Sequence, residues 1–563
     1  MIGWLQSAVP HLIVAPILLP LLTAALMLLL GERRRWKALL NVASSVLGLL
    51  IAIVLLRWVD SDAVPAVIGV YVPSNWEVPF GIVLVVDRLS ALMLVLSGII
   101  GLCSALFSIA RWDRAGVHFH PLLQIQLMGL NGAFLTGDLF NLFVFFEVLL
   151  AASYGLLLHG SGRARVQAGL HYIAINLLAS FLFLIGVSML YGVTGTLNMA
   201  DLAQKIPQVA AADRGLLHAA AGVLAIAFLT KAAMWPLNFW LAPAYVAASA
   251  PVAALFAIMT KVGVYTVLRL WTLLFSAQAG DSALFGAEVL TYGGLATLAF
   301  GALGMLASQQ LGRLASFSAI VSAGTLLAAV GFGQARLTAG ALFYLLSSTL
   351  AISALFLLIE LIDRSRQTQA VLLADEADEL PLPPELLQPA HDANLDDEQH
   401  ALIGKAIPGA VSFLGLSFIA CALLIAGLPP LSGFLAKFAM LSALLNPLGL
   451  GIASAAERIT VAGWTLLGLI IGSGLLSMIA LSRSGVRYLW APQDRPVPHL
   501  RVAECVPIVV LLGACVMLTV RADPVMRYAQ ATADALHDPA RYIEAVMSAK
   551  PVPSRTAVLG RGG

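Results

Sequence analysis

The sequence predicts an all-α polytopic membrane protein of about 14 transmembrane helices, built as two inverted five-helix repeats that each contain a broken helix. Three observations carry this prediction. Of the 563 residues, 60% are hydrophobic and 11% charged, and the mean hydropathy is +0.92; soluble domains carry about 25% charged residues. Apolar runs long enough to span a bilayer recur along the whole chain. Two of these runs are interrupted by prolines, and the second lies five spans after the first.

The runs fall near 11–30, 38–58, 89–110, 119–136, 138–158, 166–191, 216–242, 250–275, 288–307, 313–332, 338–361, 406–442, 460–481 and 502–520. The opening MIGWLQSAVPHL has no basic residue before its apolar run, unlike a cleaved signal peptide. Loops after odd-numbered spans hold 16 Lys/Arg, those after even-numbered spans 6, and the tail 6 more. The positive-inside rule therefore predicts both termini outside the cytoplasm.

The breaks are KAAMWP, from Lys231 to Pro236, and GLPPLSG, from Gly427 through Pro429 and Pro430 to Gly433. Proline removes a backbone donor and clashes with the preceding turn. Inside a bilayer this is tolerated only where protein or a water-lined cavity satisfies the freed groups. Each break has a lysine within two turns, and an odd number of helices per repeat inverts the second unit. The predicted divisions are 1–118 with three helices, repeats at 119–275 and 276–482, and 483–563 with the last helix and tail. Segment 363–405 holds 10 of the 30 acidic residues and PLPP, so it is expected to form a cytoplasmic, largely disordered loop. The tail after 521 is polar, with a short helix expected near 525–546.

Four charges lie deep in apolar runs: Glu147, Lys231, Lys261 and Lys437. A charge at the centre of a membrane helix costs roughly 2.5–3.5 kcal/mol even on lenient insertion scales. Such groups mark ion pathways by default. Glu147, in DLFNLFVFFEVLLAASYGLLL, needs a basic partner on another helix to keep its charge, and Lys231 is the expected one. One carboxylate cannot neutralise both Lys231 and Lys261. Burial disfavours an ammonium, so a buried lysine can load and release protons. Lys437 has no carboxylate in its own span and is the candidate terminal proton donor or acceptor. The alternative for all four is structural: charges that orient helices. Arg269, two turns beyond Lys261, reads as a side chain snorkelling to the interface.

His171 and Asn176, the group Gln124, Gln126 and Asn131, and the run Ser347, Ser348 and Thr349 can hold ordered water or bond between helices. His118 and His120 form only an isolated HxH, so no metal is expected. Cys103, Cys421, Cys505 and Cys515 are scattered as small core residues. No P-loop, dinucleotide fingerprint, haem, flavin or iron–sulfur motif occurs, so no cofactor is expected. The net charge of +2 speaks against nucleic acid.

The blocks DLFNLFVFFEVLLAASY, LTKAAMWPLNFWLAPAYVAASAPVAALFAIMTKVGVY and ACALLIAGLPPLSGFLAKFAMLSALLN resemble the proton-translocating membrane subunits of complex I. Still more, they resemble the D subunits of Mrp/Pha-type multisubunit cation/proton antiporters. The resemblance implies fourteen helices with a polar axis at the membrane midplane. On that axis Glu147, Lys231, Lys261 and Lys437 would carry protons; Ser347, Ser348 and His171 are expected, from their polarity within the spans, to support it. Ser347 falls where relatives often carry histidine, and a serine does not titrate. The resemblance also implies a bacterial inner membrane, other antiporter subunits as partners, and Na⁺ or K⁺ efflux coupled to proton movement. The chain would then be a secondary-transport subunit and not an enzyme. Membership of complex I or a membrane-bound hydrogenase is one alternative, and a structural scaffold subunit is another.

Overall fold

A computed structural model describes residues 9–61, 67–112, 116–379, 409–446, 459–490 and 500–551. The chain runs through α1 (Ala15–Leu29), α2 (Arg34–Val59), β1 (Gly69–Tyr71), β2 (Leu84–Val86), α3 (Arg88–Ser108), α4 (Phe119–Leu135), α5 (Leu139–Leu158) and α6 (Arg163–Thr194). It continues through α7 (Met199–Lys205), α8 (Arg214–Lys231), α9 (Leu241–Ala247), α10 (Ala250–Leu274), α11 (Ala287–Ala307), α12 (Leu311–Gly331) and α13 (Ala335–Glu379). It closes with α14 (Gly409–Ala426), α15 (Ser432–Leu445), α16 (Val461–Gly485), α17 (Val502–Val520), α18 (Ala522–His537) and α19 (Ala540–Met547).

The protein is a helical, polytopic membrane protein. Among the described residues, 12 helices are long and apolar enough to cross a membrane. The runs predicted at 11–30 and 119–136 form α1 and α4, of 15 and 17 residues, shorter than the roughly 20 residues of a full span. The centre is made by α10 and α13, whose apolar lengths are buried throughout.

Both predicted breaks interrupt their helices. The first is non-helical between α8 and α9, with Ala233 at φ +57°. Its freed groups find partners: Trp240 Nε1 donates to Thr230 O at 3.1 Å, and Trp235 N donates to Thr297 Oγ1 at 2.8 Å. The second lies between α14 and α15, with Gly427 at φ +77°.

One end of the bundle carries a two-stranded antiparallel sheet absent from the all-helical expectation, with Gly69 opposite Val86 and Tyr71 opposite Leu84. Its runs GVY and LVV are rich in strand-favouring residues. Asp87 caps α3 beside it, accepting from Ser90 N at 2.9 Å. The amphipathic α18 and α19 cover the same end, and they fulfil the tail helix expected near 525–546. The opposite end is tied by Arg364 to Glu504 (2.6 and 2.8 Å) and by Trp112 Nε1 to Glu360 (2.7 and 3.0 Å).

The segment expected to be disordered from 363 begins instead as helix, because α13 continues to Glu379. Its composition there is rich in helix-forming residues, and the first proline is Pro381. The rest of that segment, 380–405, lies outside the described residues.

Candidate functional site

Three of the four predicted charges are buried in the bundle, and the fourth is half-buried beside one of them. Glu147, on α5, accepts a hydrogen bond from Ser180 Oγ of α6. Phe146, Phe183 and Phe228 pack around this point, with ring centroids 4.8–6.2 Å apart. Lys231 ends α8 and is 4% exposed. Its ammonium lies 5.1 Å from the centroid of the Phe146 ring, the residue next to Glu147.

Glu147 and Lys231, expected from the sequence to interact across helices, are not joined by a direct hydrogen bond. Lys231 Nζ has no hydrogen-bonding partner among the described residues. The Glu147 charge acts on Lys231 through space, and the aromatic face and the C-terminal end of α8 also favour a cation there.

Lys261, on α10, is fully buried, and its Nζ also lacks a partner among the described residues. Close approach of α10 to the first break brings it near Lys231. A Cβ at Gly263 would lie 2.5 Å from Ala232 N and 2.8 Å from the Lys231 carbonyl carbon. Gln126, Asn238 and Ser249 are further buried groups with atoms unpaired among the described residues, Gln126 at both ends of its amide.

Lys437, on α15, is arranged differently. Its Nζ donates to Ala426 O at 2.8 Å and Ile425 O at 3.3 Å, the last carbonyls of α14. These carbonyls form the negative end of that helix's dipole, which stabilises the cation without a carboxylate. Gly474 of α16 opens the slot, since a Cβ there would lie 2.7 Å from Ala426 O and 3.4 Å from Lys437 Nζ.

On α12, α13 and α15 the hydroxyls are paired. Ser347 Oγ lies 2.8 Å from Ser432 Oγ, at the start of α15, and Ser348 Oγ lies 2.9 Å from Ser322 Oγ of α12. Thr349 Oγ1 turns back to Leu345 O at 2.6 Å.

His171 does not join this line. It is exposed on the flank of α6, where Nδ1 lies 2.9 Å from Gln167 O, and it borders an open cavity of about 620 Å³ with Trp240 and Arg313. The buried stripe of α6 runs Tyr172, Asn176, Ala179, Ser180 and Phe183, and His171 is one residue off it. That same helical period points to Ser180, which polarity alone does not single out in the sequence. His120 packs in the core with Nδ1 2.8 Å from Asn41 Nδ2. Arg269 does not snorkel to water: it is 7% exposed and donates to Asp87 Oδ1 at 2.6 Å. An acidic helix cap within reach outcompetes hydration at the interface.

A protein-family model described as "NADH:quinone oxidoreductase/Mrp antiporter, TM" matches residues 136–376, a stretch that holds Glu147, Lys231 and Lys261. The chain is 52% identical over 552 residues to a probable K(+)/H(+) antiporter D subunit from Rhizobium meliloti (strain 1021), covering 98% of this chain and 99% of the relative. The chain belongs to the D-subunit family of Mrp-type antiporters. It is also 31% identical over 544 residues to a Na(+)/H(+) antiporter D subunit from Alkalihalophilus pseudofirmus, covering 95% of this chain and 99% of the relative. Its fold matches a chain of the Mrp complex from Dietzia sp. DQ12-45-1b with a TM-score of 0.77 and 26% identity, covering 97% of this chain and 100% of that one. Within this D-subunit fold, Lys231 and Lys437 lie beside the two breaks and Lys261 on α10, the long helix that follows the first break.

Proposed function

We propose that this chain is the proton-conducting subunit of a multisubunit monovalent cation/proton antiporter in a bacterial inner membrane. Protons move along Glu147, Lys231, Lys261 and Lys437, past the hydroxyls of Ser347 and Ser348, and their movement drives Na⁺ or K⁺ efflux in the assembled complex. The observation that carries this reading is the burial of three lysines inside membrane-spanning segments, at 4%, 0% and 7% exposure, without a carboxylate bonded to any of them among the described residues. A scaffold would bury apolar residues there, since each unpaired charge is destabilising. The unpaired atoms of Gln126, Asn238, Ser249, Lys231 and Lys261 support a hydrated first half, because buried polar groups demand partners.

Residues 119–275 and 276–482 are read as the two repeats, each contributing one broken helix. The excess of Lys/Arg in the odd-numbered loops orients the sheet and the α18–α19 end outside the cytoplasm. The names of the two relatives favour an antiporter over a redox complex, and the 52% relative favours potassium as the cation.

The test is dye-monitored ΔpH in everted vesicles holding the whole complex, challenged with Na⁺ and with K⁺. Mass spectrometry of the purified complex identifies its partners. Cation-dependent proton movement that disappears in Lys261→Ala is the expected result. Wild-type exchange in Glu147→Ala, Lys261→Ala and Lys437→Ala at equal assembly would leave only the scaffold role, and copurifying flavin or iron–sulfur subunits would move the chain to a redox complex.

A further inference from the structure

The first half contains a buried charge that the proton line does not use. Lys261, Tyr265, Arg269 and Thr272 follow one flank of α10 at helical spacing. Lys261 lies deepest, and eight residues, about 12 Å of helix, separate it from Arg269. Tyr265 stands between them, with its hydroxyl donating to Phe134 O at 2.7 Å. Beyond Arg269 lies a cavity of about 390 Å³, lined by Asp87, Arg269 and Thr272 and roofed by α18 and α19. Its rim carries the exposed residues Asp534, Asp538 and Arg541. The cavity therefore reaches from solvent down to Arg269.

Arg269 is held there from three sides. Asp87 accepts its hydrogen bond at 2.6 Å, and the rings of Tyr542 and Tyr265 lie 5.2 and 5.8 Å from the guanidinium carbon. An arginine does not deprotonate in proteins, so it cannot pass a proton on as a lysine can. A fixed positive charge in a narrow pore repels protons and cations.

We propose that Arg269 is an electrostatic gate that seals Lys261 from the aqueous cavity beneath α18 and α19, so that protons do not leak through the first half. The pair with Asp87 fixes the gate in place. The inference rests on Lys261 being a proton-carrying group. A unit charge about 12 Å away at an effective dielectric of ~20 changes the occupancy of a protonated site about tenfold.

The experiment uses the whole complex in proteoliposomes carrying a pH-sensitive dye, with assembly checked on native gels. Passive proton leak after an imposed pH step is compared in the unsubstituted complex, Arg269→Gln, Arg269→Lys, and Arg269→Gln combined with Lys261→Ala. About tenfold faster leak is expected in Arg269→Gln, a smaller rise in Arg269→Lys, which keeps a charge but can release its proton, and closure of the leak when Lys261 is also removed. Leak within twofold of the unsubstituted complex in Arg269→Gln overturns the gate, as does a leak that persists without Lys261. A second measurement leaves Arg269 intact. Thr272→Cys should react with a membrane-impermeant neutral thiol reagent added from the α18–α19 side, and Tyr265→Cys should not. Equal reaction at the two positions also overturns the seal. Cation-driven exchange by the unsubstituted complex is scored separately, and its absence counts against the proton-transport function, not the gate.

Discussion

Lys437 closes the break that precedes it: its ammonium donates to Ala426 O at 2.8 Å, eleven residues earlier in the chain. The lysine and the end of α14 thus satisfy each other. Loss of the lysine leaves two carbonyls without their donor, and Gly427 and Gly474 line the slot that its side chain fills. A Cβ at Gly427 would already lie 2.6 Å from Lys437 Cδ.

Lys437→Ala and Lys437→Arg should both assemble and both lose antiport. Arginine keeps the charge but does not release its proton. A purely structural charge predicts rescue by arginine, so full activity in Lys437→Arg would overturn the exchange role. Gly474→Ala tests the slot with the lysine still present. Overpacking of this kind costs about 1–3 kcal/mol, and the expected outcome is a drop of tenfold or more in exchange rate at normal complex levels.

Ser180 and Glu147 form a second pair on neighbouring helices. Hydrogen bonds to charged groups contribute about 1.5–3 kcal/mol. Ser180→Ala should therefore slow exchange by roughly ten- to a hundredfold, while Glu147→Ala abolishes it. Initial rates in everted vesicles distinguish the two. Unchanged kinetics in Ser180→Ala would reduce the hydroxyl to a packing contact.

The lysines are legible in the sequence because a charge deep in an apolar run is costly. A proline alone does not mark a break, since Pro20 and Pro507 sit inside continuous helices; Pro236, Pro429 and Pro430 stand out because each of their breaks has a lysine within two turns. Contacts are harder to read. Asp87 and Arg269 are 182 residues apart, and nothing local in either segment names the other. His171 is misplaced when polarity is read without helical phase: Asn176 and Ser180 share the buried stripe, and His171 does not. The strands at 69–71 and 84–86 escape the sequence because three-residue segments are too short to show a period.

The Asp87–Arg269 pair makes stability depend on acid. Burial pushes the Asp87 carboxyl up, but Arg269 and the hydrogen bonds from Ser90 outweigh it and hold the group below its ordinary value of 3.8. A carboxylate depressed in the folded state contributes stability that is complete above the ordinary value and is lost as the pH falls through the folded one. Asp87→Asn should lower the melting temperature of the purified complex near neutrality, because a buried arginine is left uncompensated, a loss of about 3–5 kcal/mol. The gap between the two proteins should narrow as the pH falls below the ordinary carboxyl value of 3.8. Melting curves at several pH values check this, and a gap that stays constant would assign the stability to groups other than Asp87.

Ser347 and Ser432 join α13 at 2.8 Å to α15, the helix that also carries Lys437. A hydroxyl both donates and accepts, so a serine pair can hand a proton along without titrating. The same bond can also serve only to pack two helices. The two roles separate in a double-mutant cycle. Under packing alone, Ser347→Ala leaves Ser432 unpaired and costs about 1–3 kcal/mol, but removing both hydroxyls restores near-normal exchange. Under relay, each single substitution and the double Ser347→Ala/Ser432→Ala all slow exchange, with the double no faster than the worse single. The relay is the expected outcome. Rates are compared at equal complex levels in everted vesicles. Recovery in the double variant would remove the serine pair from the proton line and make it a helix-packing contact.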